Sequence, residues 1–223
     1  MRTEVVSDVV LEDGTRVITK ANMTIVIISP DGKKEIRKPD EGVVQMLPDG
    51  TRIYSAPDGT ISETRPKNLR PLNVISTSAD ENAQLLSNFA HTPFILDDVR
   101  YQSVEGFYVG LKYSNQDERR KMNKLFGAEA KRAGKAAKPT ETEYGGTTIK
   151  LGSTEHHALI KRAIKAKIEQ NQEVLKALLD SYPRELVHLT GRPDPPNTNF
   201  PSSVFVRILT ELRDEFMSRQ KQA

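Results

Sequence analysis

Glu105 stands in the run Tyr101-Gln102-Ser103-Val104-Glu105-Gly106. Ser103 is a good helix N-cap, so the run predicts a helix that starts at Val104 with Glu105 in its first turn. Free backbone N–H groups and the positive end of the helix dipole favour a charged carboxylate there. A glutamate in a first turn is favoured by the dipole alone. Beside the polar loop Ser87-Asn88-Phe89, however, an ionised and fixed glutamate is also a place for chemistry. Because the dipole does not raise its pKa, such a group suits an ionised charge stabiliser or a water-orienting base better than a proton donor.

The segment 112–138 holds nine basic residues, Lys131 and Lys135 among them, against Asp117, Glu118 and Glu129. A local excess of +6 draws a phosphate-bearing ligand, although most charged helix faces are simply solvated. His156 and His157 are adjacent. Neighbours on a helix point about 100° apart, so they lack the i, i+4 ligand spacing of a zinc site. No metal or other cofactor is expected. No P-loop or dinucleotide-binding glycine fingerprint is present.

The elements that must position these residues follow from pattern. Pro93 restricts the backbone, and Phe94 to Tyr101 is rich in strand formers, with Asp97-Asp98 as its turn. In the helix that follows, Val104, Tyr108 and Leu111 recur at core-facing spacing. Core packing is the commoner role for Phe89 and Tyr108 taken alone. Residues 117–137 read as a charged helical region broken at Gly127 and Gly134, and 138–152 as a flexible segment. Ile160, Ile164, Ile168, Leu175 and Leu179 mark one face of a long helix or helix pair. Gly191 to Pro201 is a proline-rich loop. Val204, Ile208, Leu212 and Phe216 define a closing amphipathic helix.

The first seventy residues differ. Asp-Gly pairs at 13–14, 31–32, 49–50 and 58–59, spaced by 18, 18 and 9, separate short β-branched runs. Asp-Gly between such runs signals a hairpin turn with positive φ at both central residues. The nine-residue beat predicts an antiparallel meander. The expected architecture is therefore α+β: a β-hairpin module over 1–66, a linker over 67–75 carrying Pro71, and a mainly α-helical domain over 76–223. An exposed sheet edge in the first module makes self-association through the sheet easy.

Of 223 residues, 36% are hydrophobic and 28% charged, with a net charge of +3 and no cysteine. That balance excludes disulfides and thiolate metal sites, and the excess charge is too small to argue for nucleic acid alone. The amino terminus lacks an apolar signal core and no run approaches membrane-spanning length. A cytoplasmic protein with no membrane partner is the expectation.

Ser87, Asn88, Phe89, Pro93, Phe94, Leu96, Asp97, Tyr101, Ser103, Val104 and Glu105 together resemble the signature of the NADAR superfamily, S-N-F-x-x-x-P-F-x-L-D-G-x-x-Y-x-S-V-E. The similarity runs on more loosely to about Phe216. Residues 129–135 resemble the family's E-A-K-x-x-G-R segment, and Lys167 and Asn171 its K-F-x-x-N segment. Asp194 and Asn199 match the residues that flank the family's W-G pair. The resemblance implies hydrolysis of an N-glycosidic bond in an ADP-ribosyl or ribosyl-phosphate substrate, including removal of ADP-ribose from a nucleobase and reversal of ADP-ribosylation on nucleic acid. It implies catalytic roles for Glu105 and Asp194. Substrate binding falls to Ser87, Asn88, Phe89, Tyr108, Lys131, Lys135 and Asn199. The sequence departs from the family in having no Trp, in Gly106 where His is common after the glutamate, and in Asp98 for the turn glycine. Missing aromatics point to an altered substrate or to a non-catalytic module that binds ADP-ribose or a protein.

Overall fold

The computed structural model describes residues 4–220. The outermost residues of the two expected domains, 1–3 and 221–223, lie outside the described residues. The chain divides into two compact units, Met1–Arg70 and Pro71–Ala223.

The first unit is one antiparallel sheet of seven strands in sequence order: β1 Val5–Val10, β2 Arg16–Lys20, β3 Ile25–Ile28, β4 Lys34–Lys38, β5 Gly42–Met46, β6 Arg52–Ser55 and β7 Ile61–Thr64. Its Asp-Gly turns are not of the expected kind. Only the glycine of each pair has positive φ, from 83° to 86°. Each glycine N–H donates to the carbonyl three residues earlier, and each Asp Oδ1 accepts from the N–H two residues later. These are three-residue loops, a type I turn closed by a left-handed glycine, so one positive φ suffices. The same turn recurs at Ala21-Asn22-Met23 without an Asp-Gly pair. There Asn22 Oδ1 accepts from the Thr24 N–H and Met23 takes φ 61°. Little of the sheet is buried. Val26 is its one buried apolar side chain among the described residues, and β1 and β7 are exposed throughout.

The second unit holds the apolar core. Part of the segment expected to be a linker is structure: Lys67–Leu69 forms a 3-10 turn, and β8 Leu72–Asn73 pairs in parallel with β13 Leu186–Val187. Leu72 and Val74 are fully buried, which a free linker would not allow. Helix α1, Glu81–Leu86, leads into the Ser87 loop. β9 Phe94–Leu96 and β10 Val99–Tyr101 form a hairpin whose two turn residues, Asp97 and Asp98, both have positive φ, 48° and 62°. Phe94 stacks on Tyr101 (5.4 Å between centroids), and Phe107 meets Tyr101 edge-on (5.0 Å).

Helix α2, Val104–Gly110, begins as its N-cap requires, with Ser103 Oγ accepting from the Gly106 N–H at 2.9 Å. The charged region is two short helices, α3 Gln116–Met122 and α4 Gly127–Ala133. The segment expected to be flexible is instead a hairpin, β11 Glu141–Tyr144 and β12 Thr147–Lys150, turning at Gly145-Gly146 with φ 59° and 77°. Helices α5 Thr154–Gln170, α6 Gln172–Asp180 and α7 Ser202–Gln220 complete the unit. Ile160, Ile164 and Ile168 are buried along α5, each contributing about 1.5–3 kcal/mol on transfer from water. The unit is mixed, consistent with the expected α+β class. No helix among the described residues is long and apolar enough to cross a membrane.

Candidate active site

The loop Ser87–Pro93 is held from beneath by two residues of α5 and its end. Lys167, fully buried, donates through Nζ to the carbonyls of Leu85 (2.7 Å) and Ser87 (2.8 Å). Asn171 Nδ2 donates to the Pro93 carbonyl at 3.1 Å and to that of Lys167 at 2.7 Å. Burial pushes the Lys167 ammonium down to about 7. Ser87 Oγ accepts from the Phe89 N–H at 3.2 Å, which closes a local turn. The loop and α2 are then clipped together: the Glu105 N–H donates to the Asn88 carbonyl at 2.9 Å.

Across this junction lies a cavity of about 370 Å³ lined by Ser87, Asn88, Phe89, Glu105, Tyr108, Lys131 and Asp194. A second cavity of about 990 Å³ shares Glu105, Tyr108 and Lys131 with it and adds Lys112, Lys135 and Asn199. All nine residues singled out in the sequence therefore line two adjoining cavities of one cleft. Glu105, Tyr108 and Lys112 follow the i, i+3, i+7 spacing of one α2 face and its continuation. The Lys112 ammonium lies 4.9 Å from the Tyr108 ring centroid, and the Lys131 ammonium 5.6 Å from that of Phe89.

The electrostatics overturn the expected state of Glu105. Burial raises its carboxyl to about 7, with Lys112 and Lys131 pulling the other way. It keeps partial access to solvent through the cleft, but no donor among the described residues hydrogen-bonds the carboxylate to offset its desolvation. Desolvation and the nearby Glu105 likewise push Tyr108 up to about 12. Asn88 Oδ1 is buried in the cavity wall without a hydrogen-bond partner. An orphaned acceptor of this kind is a place for a ligand donor.

Asp194 does not stand free. Its Oδ2 accepts from the Ser202 N–H at 2.6 Å and its Oδ1 from Ser202 Oγ at 2.8 Å. It holds the proline-rich loop against the first residue of α7 while lining the smaller cavity. Gly106 also has a steric reason. A Cβ there would lie 2.6 Å from the Leu125 carbonyl oxygen and 2.7 Å from that of Met122, so no larger residue fits after Glu105. His188 sits between apolar neighbours, with no pattern in the sequence to mark it. It lines the smaller cavity, its Nδ1 donating to the Val74 carbonyl at 2.6 Å and its ring edge-on to Phe205. That bond leaves Nε2 as the nitrogen free to meet a ligand. No group of three His, Asp or Glu among the described residues could hold a metal ion.

Three comparisons bear on this arrangement. A 17.1 kDa protein from the Gp30–rIII intergenic region of Enterobacteria phage T4 is 29% identical over 136 residues, which is 58% of this chain and 88% of that protein. The NMR structure of the E. coli protein YbiA has a similar fold, with a TM-score of 0.52 at 22% identity, covering 69% of this chain and 89% of that one. The family model for Bacteriophage protein GP30.3 matches residues 81–214, more than half of the chain and every cleft residue named above. The chain therefore belongs to the Bacteriophage protein GP30.3 family.

Proposed function

We propose that the second unit is a NADAR-like N-glycosidase that hydrolyses the bond between a base and the ribosyl group of an ADP-ribosyl or ribosyl-phosphate compound. The observation that carries this reading is a lone, desolvated Glu105 with a pKa near 7 in the wall of a cleft that also presents Lys131 and Asn88. A carboxyl poised near neutrality transfers protons in either direction. Protonated Glu105 gives its proton to the leaving nitrogen as the C1′–N bond breaks and the electron pair departs with the base. Water then adds to the oxocarbenium carbon, and its proton returns to the carboxylate. Lys131, with Lys112 and Lys135 along the neighbouring cavity, matches a phosphate-bearing substrate. Asp194 keeps the loop in place.

The test is turnover of ADP-ribosylated nucleic acid and of ribosylamino-pyrimidine phosphates across pH, for the parent and for Glu105→Gln. The amide keeps the shape and has no proton to give. Expected are release of the free base by the parent, a rate that declines as pH rises through about 7, and a loss of roughly a hundredfold or more in the variant. Parent-like turnover in the folded variant sinks the role of Glu105. Tight ligand binding without turnover in the parent supports the second reading, a binding module, which the engaged carboxylate of Asp194 favours.

A further inference from the structure

The cleft does not end at Glu105. A third cavity of about 930 Å³ lies on the other side of Phe89 and Lys131, both of which also line the Glu105 cavity. Its chemistry is different. In place of the lysine row of the basic cavity it presents an aromatic pair, His91 and Phe126, stacked at 4.4 Å with 24° between their planes. The stack is built rather than accidental: His91 Nε2 is paired with Gln102 Oε1 at 2.8 Å, which fixes the ring that backs Phe126. Phe126 nevertheless remains 44% exposed where it lines the cavity. A flat neutral ring would extend such a stack, whereas a phosphate would find one ammonium, that of Lys131, and only at the boundary between the cavities.

We propose that His91 and Phe126 form a base-stacking subsite, so that the ligand of this cleft is a dinucleotide: a ribosyl group at Glu105, a phosphate linkage passing Lys131, and a second aromatic base on Phe126. This inference rests on the N-glycosidase reading and narrows it, because a ribosyl monophosphate would leave the aromatic cavity empty. Lys131 is the joint. Its ammonium sits over the Phe89 ring that separates the two cavities, where a linkage crossing from one to the other must pass.

The experiment is calorimetric titration of the full chain with two probes, ADP-ribose and ribose 5-phosphate, for the parent, Phe126→Leu and Glu105→Gln. Leucine keeps the apolar surface and removes the flat face. The ring is exposed, so the fold should survive, and a melting curve checks that it does. Expected is tighter binding of ADP-ribose than of ribose 5-phosphate by the parent. In Phe126→Leu, ADP-ribose should weaken about tenfold while ribose 5-phosphate is unchanged, in line with the strength of base–aromatic stacking. ADP-ribose affinity unchanged by Phe126→Leu overturns the subsite and leaves the N-glycosidase reading standing. Equal weakening of both probes also overturns it, since a stacking loss cannot reach a ligand without a base. If the parent binds neither probe, the subsite and the reading fall together.

Discussion

The two units of this chain hold their shape by opposite means. In the first, order is local: each hairpin closes over three residues, and the same Asp or Asn side chain caps the same turn again and again. Almost nothing is buried, so no residue depends on one far away in sequence. In the second, the decisive contacts are long-range. Lys167 reaches back 80 residues to hold Ser87, and Asn171 reaches 78 residues to hold Pro93. A repeated local rule confines the damage of one substitution to its own hairpins. A cleft tied by single long-range bonds does not confine it.

The largest effect that would sharpen this contrast is expected at Lys167. Methionine there matches the length and removes both hydrogen bonds, depriving the Leu85 carbonyl of its donor at about 1–3 kcal/mol and leaving the Ser87 carbonyl with only the Ala90 N–H. Turnover should fall roughly a hundredfold as the Ser87 loop shifts by about an ångström relative to Glu105. Amide shifts confined to the 85–93 loop and its neighbours would locate the change, and parent-like turnover would break the comparison.

In the first unit the matching test is Gly42→Ala. A Cβ would fall 2.2 Å from the Ser55 carbonyl oxygen, at a backbone φ of 82°. The sheet should lose about 3 kcal/mol, with turnover unchanged. Loss of turnover in this variant would mean that the sheet supports the site.

Glu105→Gln makes a third prediction, about stability rather than rate. The folded carboxyl titrates near 7, above its unfolded value of about 4.3, so the folded state holds the extra proton between those values. Its contribution is therefore full below about pH 4 and is lost as pH rises to about 7. The amide carries no such cost, so the variant should melt a few degrees higher than the parent at pH 8, with the gap closing towards pH 4. Lys167, with its pKa depressed, acts in the opposite sense. The unfolded chain binds its proton more readily between about 7 and about 10.4, so its contribution to stability rises with pH across that window. Scans of parent and both variants separate the two.

A smaller effect is expected at the basic cavity. Lys131→Ala with Lys135→Ala should weaken ADP-ribose binding about tenfold at low salt and less at high salt, since screening acts over about 8 Å at physiological ionic strength. Unchanged affinity at low salt would return both to a solvated surface. The smallest effect is none at all: a chain of residues 71–223 should turn over substrate at the parent rate. Its failure to do so, while folded, would bring the first unit into the site.

Much of this was legible in the amino-acid order. Turn residues announced the meander, because Asp and Gly act on their own backbone. Ser103 announced the start of α2 for the same reason, and the aliphatic spacing announced α5 and α7. The nine cleft residues were legible through motif resemblance rather than physics, and the structure does gather them. What misled was anything decided at a distance. Residues 138–152 look loose by composition, yet Arg119 donates to the Glu143 carbonyl and Thr142 Oγ1 from 24 and 23 residues away and anchors the hairpin. The hydrogen bonds of Asp194 to Ser202, eight residues on, are likewise set by where the loop meets α7.

The sequence by itself determined where the chain turns, where α2 begins and which carboxylate lies at its first turn. Those are properties of a few adjacent residues and their hydrogen bonds. Only the tertiary structure decided what that carboxylate is. The dipole that a sequence can announce favours an ionised Glu105. The packing of α2 against the Ser87 loop strips water from the group, and that burial raises it to about 7 against the pull of Lys112 and Lys131.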